Sequence, residues 1–251
     1  MNKIAVVTGG SRGLGKDMAL NLAKKGLDVI VTYHSKEEQA LKVVSEIESI
    51  GQKAHALQLD TGKAGTFDFF FSELTKVLNT GFATDKFDFL VNNAGIGVTA
   101  AFADTSEEDF DSLIDIQFKG PFFLTQKALP HMNDGGGIVN ISTGLTRIIL
   151  PYYPAYSSTK AAMENLTKYL AKDLGVRGIR VNIVAPGAIE TDFAGGMVRD
   201  NAEMNSHIAS HTALGRVGLP TDIGSVVAFL CSEDAKWITA QRIEVSGGQM
   251  L

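Results

Sequence analysis

Short runs of nearly unbroken apolar residues alternate along this chain with longer stretches where apolar positions recur every three or four residues. The runs Ile4–Val7, Val29–Thr32, Lys53–Leu59, Phe87–Asn92, Gly137–Ser142, Ile179–Ala185 and Gln241–Val245 read as strands. Most are rich in Val, Ile and Leu on successive positions, which suits a parallel sheet covered on both faces. The periodic stretches 13–25, 36–50, 65–79, 107–132, 155–175 and 221–231 read as helices. Ser35-x-x-Glu38 predicts a capping box at the start of the second helix. In the third, Phe67, Phe70, Phe71, Leu74 and Leu78 form a stripe at helical spacing and are assigned to the core. Repeated strand–helix units of this size predict a doubly wound, seven-stranded parallel α/β sheet.

Composition narrows the function. With 251 residues, 45% hydrophobic and 20% charged, the chain can build one sizeable core, and no Pro/Ser-rich linker or charge block divides it. One domain over residues 1–251 is expected. A net charge of -5 without any Lys/Arg cluster argues against a nucleic-acid surface. The single cysteine, Cys231, ends the apolar run 226–231 and is expected to be a buried thiol. Ile4–Val7 is too short for a secretory apolar region, and no run reaches membrane-spanning length, so a cytoplasmic protein without membrane contact is expected.

The first turn carries Thr8-Gly9-Gly10-Ser11-Arg12-Gly13-Leu14-Gly15, directly after a strand and directly before a helix. Glycines there let the backbone turn sharply and approach a pyrophosphate, while the helix N-terminus presents free N–H groups. This Rossmann-like arrangement points to dinucleotide binding. The second strand ends Thr32-Tyr33-His34-Ser35-Lys36, with no acid at its tip to bond a ribose 2′-hydroxyl. Arg12, His34 and Ser35 can instead meet a 2′-phosphate, which favours NADP over NAD.

Tyr156 and Lys160 stand four residues apart at the start of a predicted helix, one turn above the other. An ammonium beside a phenol favours the phenolate, so Lys160 is expected to lower the Tyr156 pKa toward the range of a general acid/base.

In order along the chain come Thr8-Gly9-x3-Gly13-x-Gly15, Asp60, Asn92-Asn93-Ala94-Gly95, Ser142, Tyr156-x3-Lys160, Pro186-Gly187 with Thr191, and a tail ending Ser246-Gly247-Gly248. This ordered set resembles the short-chain dehydrogenase/reductase family, in its compact single-domain form, over essentially the whole chain. The resemblance implies hydride transfer between a nicotinamide and a carbonyl or secondary alcohol. It assigns Gly9, Ser11, Arg12, Gly13, Leu14 and Gly15 to the dinucleotide turn and Asp60 to the adenine. It places Asn93, Ala94 and Gly95 along the cofactor ribose, and Pro186, Gly187, Ile189 and Thr191 at the carboxamide. It also implies that Ser142 holds the substrate carbonyl, Tyr156 is the acid/base, and Lys160 bonds the nicotinamide ribose. One position departs from the family pattern: Gln117 stands where an asparagine usually supports the proton relay, and it is expected to serve in its place. A homotetramer is implied, built through the fourth and fifth helices and through the last helix and strand.

Residues 193–213, with glycines and methionines, are expected to form a mobile lid, and Leu145, Tyr152 and Tyr153 to line the pocket. His207 and His211 lack the glutamate of a zinc helix, so no metal site is expected. Two other readings compete. A 3-oxoacyl-[acyl-carrier-protein] reductase tends to carry basic residues just before the fifth strand, where His131 to Gly137 holds no Lys or Arg and Arg177 remains as a possible contact. A non-catalytic NADP sensor would have no use for the tyrosine–lysine pair.

Overall fold

The computed structural model describes residues 2–251. Seven strands run β1 Ile4–Val7, β2 Asp28–Tyr33, β3 Ala54–Gln58, β4 Phe87–Asn92, β5 Met132–Ile141, β6 Arg180–Pro186 and β7 Arg242–Val245. They form one sheet in the order β3-β2-β1-β4-β5-β6-β7, with every neighbouring pair parallel. The principal helices are α1 Gly13–Lys24, α2 Glu37–Ile50, α3 Phe67–Val77, α4 Glu107–Ile114, α5 Gly120–Ala128, α6 Pro154–Leu174, α7 Met197–Asp200, α8 Ala202–Ser210 and α9 Pro220–Leu230.

Strand alternation divides the apolar residues into two clusters, one on each face. Ala5 and Val7 of β1 join Met18 and Leu22 of α1, Val43 and Ile47 of α2 and Val227 of α9. Ile4 and Val6 of the same strand join Phe67, Phe70, Phe71 and Leu74 of α3, Leu124 of α5 and Leu174 of α6. Each large side chain buried this way contributes about 1.5–3 kcal/mol. Cys231 lies in the first cluster, just past α9, and burial pushes its thiol up to about 12.

Three local expectations are corrected. Lys36, not Ser35, precedes α2, and no side chain caps that helix, so the capping box does not form. The stretch 107–132 is helical as far as His131 but not uniformly α-helical. A π turn at Asp115–Lys119 separates α4 from α5, and a Cβ at Gly120 would lie 2.0 Å from the Thr61 carbonyl oxygen. The glycine therefore lets this helix close on the loop after β3. Finally, β5 starts at Met132, across a register irregularity between Phe87 and Phe89. Its Gly135-Gly136-Gly137 have little strand propensity, which hid the first half of the strand. A Cβ at Gly136 would sit 2.1 Å from the Asp88 carbonyl oxygen, so the close approach requires glycine.

Candidate active site

Strand order reverses between β1 and β4, and such a reversal opens a crevice beyond the strands' carboxyl ends. The glycine turn leaves β1 there, and Asn93-Ala94-Gly95 leaves β4. Thr8 Oγ1 accepts from the Asn93 and Ala94 amides at 2.9 and 3.0 Å and donates to the Val91 carbonyl at 3.2 Å. Asn93 Nδ2 returns a bond to the Thr8 carbonyl at 2.9 Å. The two loops are thereby fixed to each other. Gly9 and Gly13 have φ of +63° and +54°, the left-handed region that favours glycine. A Cβ at Gly15 would meet the Gly9 carbonyl oxygen at 2.2 Å. Arg12 is exposed at the start of α1, whose first turn has no side-chain cap. Leu14 packs against the core behind it, and Ser11 sits in the turn just before Arg12.

Across the crevice, Thr191 lies 3.9 Å from where a Gly13 Cβ would be. The segment from Pro186 is held by the Ala188 amide, which donates to Gln249 Oε1 at 3.0 Å, and by a bridge between Ile189 and Gly218. At the far end, the Asp60 carboxylate accepts from the Gly62 amide at 3.0 Å and faces His34 Nε2 at 3.5 Å and Lys63 Nζ at 3.3 Å. Ser35 is exposed beside His34. A glycine cradle that a Cβ would fill, a free helix start and exposed cations at the β2 tip together fit a dinucleotide phosphate chain.

The candidate acid/base and hydroxyl groups come from α6 and the loop after β5. Tyr156, Lys160 and Glu164 follow at four-residue intervals along one side of α6. Tyr156 and Lys160 are buried, and Lys160 Nζ donates to the Ile141 carbonyl at 2.9 Å. The nitrogen is 6.0 Å from the centre of the Tyr156 ring. Burial holds the phenol well above its usual pKa, while hydrogen bonding with Thr143 pulls the other way. Burial alone pushes Lys160 down to about 8. Burial, not the lysine, dominates the phenol, and it acts in the direction opposite to the lowering expected from Lys160. Lys160 Nζ is committed to the Ile141 carbonyl.

Ser142 is not where the sequence reading puts it. Its hydroxyl donates to Glu164 Oε1 at 2.6 Å and is buried. Thr143, extended at φ -156° and ψ 154°, is the neighbour of the phenol. Strand alternation sends the two hydroxyls apart: Ser142 follows Asn140 toward Glu164 and Thr167 of α6, and Thr143 turns away from them. Two adjacent hydroxyl residues at the end of β5 were the available signal, and only the face each one takes decides between them.

Gln117 lies in the π turn, 1% exposed, and neither atom of its carboxamide has a hydrogen-bond partner. Its Oε1 is 3.0 Å, and Lys160 Nζ 3.7 Å, from the point where a Gly95 Cβ would be. The amide, the glycine and the lysine thus converge below the crevice.

Aromatic rings surround the phenol. Tyr153 and Phe193 have ring centres 6.3 and 5.9 Å from Tyr156. Ile149, Leu150 and Tyr152 expose apolar surface in the loop before α6, and the Tyr152 backbone takes a φ of +73°, a strained value for a bulky residue. Its carbonyl accepts from the Ala100 amide at 2.9 Å. Leu145 anchors the same loop, its carbonyl accepting from Ser157 Oγ at 2.8 Å. The stretch 193–213, expected to be a lid, is largely helical, through α7 and α8. The rings of His207 and His211 are exposed and 4.5 Å apart, and no group of three metal-ligating side chains occurs among the described residues. Arg177 does not face outward as a free cation; it donates to Asp134, the Leu129 carbonyl and the Met132 carbonyl at 2.7–2.8 Å. No helix among the described residues is long and apolar enough to cross a membrane.

A family model described as enoyl-(acyl carrier protein) reductase matches residues 9–250. The hydroxynaphthalene reductase-like protein Arp2 of Metarhizium brunneum is 36% identical over 261 residues, covering 99% of this chain and 95% of its own. Among solved structures, the promiscuous reductase LugOII, described as catalysing keto-reduction at C1 during lugdunomycin biosynthesis, superposes with a TM-score of 0.94. It is 40% identical, with 99% of this chain and 98% of that one covered. The angucycline C-6 ketoreductase LanV, solved with bound NADP, gives 0.93 at 38% identity, over 99% and 95% of the two chains.

Proposed function

Because this chain belongs to the short-chain dehydrogenase/reductase family, we propose that it is an NADP-dependent ketoreductase acting on a flat, apolar ketone built of fused aromatic rings. The observation that carries this reading is a buried phenol, its pKa raised by burial, beside the rings of Tyr153 and Phe193. Reduction needs a proton donor at the carbonyl oxygen, and a phenol held above its ordinary pKa is a donor at every physiological pH. Offset stacking on Tyr153 and Phe193 suits a planar aromatic substrate, and the exposed Ile149, Leu150 and Tyr152 extend the same apolar wall. The names of LanV, LugOII and the Arp2 protein support that substrate class.

The bound nicotinamide supplies the hydride. Gly9 to Gly15 and the start of α1 hold the phosphates, Arg12 and His34 meet the 2′-phosphate, and Asp60 flanks the adenine. Asn93, Ala94 and Gly95 line the ribose, and Pro186, Gly187, Ile189 and Thr191 take the carboxamide end. Thr143 donates a hydrogen bond to the carbonyl oxygen as charge develops there, the role first expected of Ser142. Tyr156 delivers the proton, and Lys160 with Gln117 restores it. A homotetramer belongs to the same proposal and is tested by light scattering. The acyl-carrier reading loses support because Arg177, the cation expected to serve it, is engaged by Asp134 and two backbone carbonyls.

The test is turnover of a fused-ring aromatic ketone and of a 3-oxoacyl thioester, each with NADPH and NADH, followed by absorbance. The aromatic ketone with NADPH is expected to give the highest kcat/KM. A better rate with the thioester, or a tenfold preference for NADH, would overturn the assignment. Thr143→Ala is expected to lower kcat about 100-fold, as removal of an oxyanion donor does, and Ser142→Ala by less than about tenfold.

A further inference from the structure

We propose that Glu164 is a positioning residue that sets, through the loop after β5, where the Thr143 hydroxyl sits. The inference rests on the assignment of Thr143 as the group that bonds the substrate carbonyl.

Thr143 stands in a short loop that leaves the sheet where the Ser142 amide donates to the Val184 carbonyl at 2.7 Å, and that turns through Arg147 N–H to the Gly144 carbonyl at 3.0 Å. Beyond that one backbone anchor, the loop is held by charge. A single oxygen of Glu164, Oε1, accepts from Ser142 Oγ at 2.6 Å, Thr146 Oγ1 at 2.7 Å and Arg242 Nε at 2.8 Å. Ser142 precedes Thr143 by one residue and Thr146 follows it by three, so the carboxylate grips the loop on both sides of the hydroxyl. Arg242 completes the frame. It donates to Thr146 Oγ1 at 3.0 Å and to the carbonyl of Thr143 itself at 3.3 Å. Its remaining nitrogen donates to Glu244 at 3.0 Å. Glu244 in turn takes Arg147 through Nε at 2.9 Å and through the second nitrogen at 2.7 Å, and the Arg147 fork also reaches the Gln249 carbonyl at 2.8 Å.

The bonds to Glu164 and Glu244 are charge-assisted, and those from Arg147 and Arg242 come from planar guanidinium groups, a strong and directional kind. Glu164 and Arg242 have side chains only 17% and 24% exposed, so water competes weakly for them. The carboxylate sits two turns along α6 from Tyr156, on the same side of the helix. One rigid helix therefore carries the proton donor, the lysine and the anchor that places the second hydroxyl relative to both. A misplacement of about 1 Å in a reacting group can cost about 100-fold in rate, which is the scale of effect such an anchor can control.

The experiment is a double-mutant cycle on kcat with the fused-ring ketone and NADPH. Glu164→Gln keeps the shape and one acceptor oxygen but removes the charge that gathers Arg242. It is expected to lower kcat about tenfold, with the KM for NADPH changed less than about twofold. In the Thr143→Ala background the same change is expected to cost less than about twofold, because the hydroxyl it places is gone. A further tenfold loss in that background, or no loss in the Glu164→Gln single variant, overturns the positioning role. An unimpaired Thr143→Ala enzyme instead overturns the assignment of Thr143, so the two failures are distinguishable. Arg242→Lys, which retains charge and loses the fork, gives a second route to the same non-additive pattern if Glu164→Gln does not fold.

Discussion

Replacing Lys160 by methionine should stabilise the cofactor-free protein while destroying its activity. The buried ammonium has no carboxylate partner, and burial holds its pKa at about 8 against 10.5 for the solvated group. One pH unit of such displacement corresponds to about 1.36 kcal/mol, so carrying the proton at pH 7 costs the fold on the order of 3 kcal/mol. Methionine keeps the apolar stem and much of the volume. It loses the bond to the Ile141 carbonyl, which contributes about 1 kcal/mol. The net gain is about 2 kcal/mol. At the size of this chain that corresponds to a Tm rise of roughly 4–8 °C. The sign with pH follows from the lowered pKa. Below pH 8 both states carry the proton and the full penalty is present. Between 8 and 10.5 the unfolded chain binds more protons than the folded one, so wild-type stability rises with pH. Above that window the penalty is gone. Thermal unfolding of cofactor-stripped wild type and Lys160→Met, at pH 7 and pH 10, checks both halves. A variant less stable than wild type at pH 7, or a difference that does not shrink at pH 10, would refute the reasoning.

Two further outcomes follow from close contacts. Gly15→Ala would place a methyl group 2.2 Å from the Gly9 carbonyl oxygen and 2.5 Å from Asn93 Nδ2. It should raise the Kd for NADPH at least about tenfold, consistent with overpacking costs of about 1–3 kcal/mol; calorimetric binding at wild-type strength would show that the turn yields more than its contacts allow. Gln117→Asn shortens the buried amide by one methylene, away from Gly95 and Lys160, and turnover should stay within about tenfold of wild type. A hundredfold rise would mean that Gln117 impairs the proton relay it is proposed to serve.

The sheet was legible because its strands are buried on both faces, and a continuous Val/Ile/Leu run leaves few alternatives. The exceptions are local. Gly135-Gly136-Gly137 concealed the start of β5, since the need there is for close approach to Asp88 and not for strand propensity. The π turn at Asp115–Lys119 left the apolar period of the helix nearly intact and so gave no sign of itself. At the site, Tyr156 and Lys160 could be read from their spacing, because a helix converts four residues into one face. Their electrostatics could not. Spacing says that a lysine is near a phenol, whereas burial decides in which direction the pKa of each one moves. Ser142 and Thr143 show the same limit at a strand end, where one residue of offset changes which face a hydroxyl takes. Glu164 carries no signal in the sequence; its three donors come from residues 142, 146 and 242, and only the fold brings them together.

Cys231 makes the molecule its own gauge of opening. The chain has one thiol, and with its pKa at about 12 and its side chain buried, almost none of it is thiolate while the fold is closed. An alkylating reagent added to the native protein therefore labels only those molecules in which α9 has lifted from the sheet. That thiol lies in the cluster with α1 and α2, whereas Tyr156 belongs to α6 on the opposite face. Movement of the segment around Phe193 leaves it silent. Labelling rate against temperature separates breathing at the catalytic mouth from loss of the whole structure, two events that activity measurements alone run together.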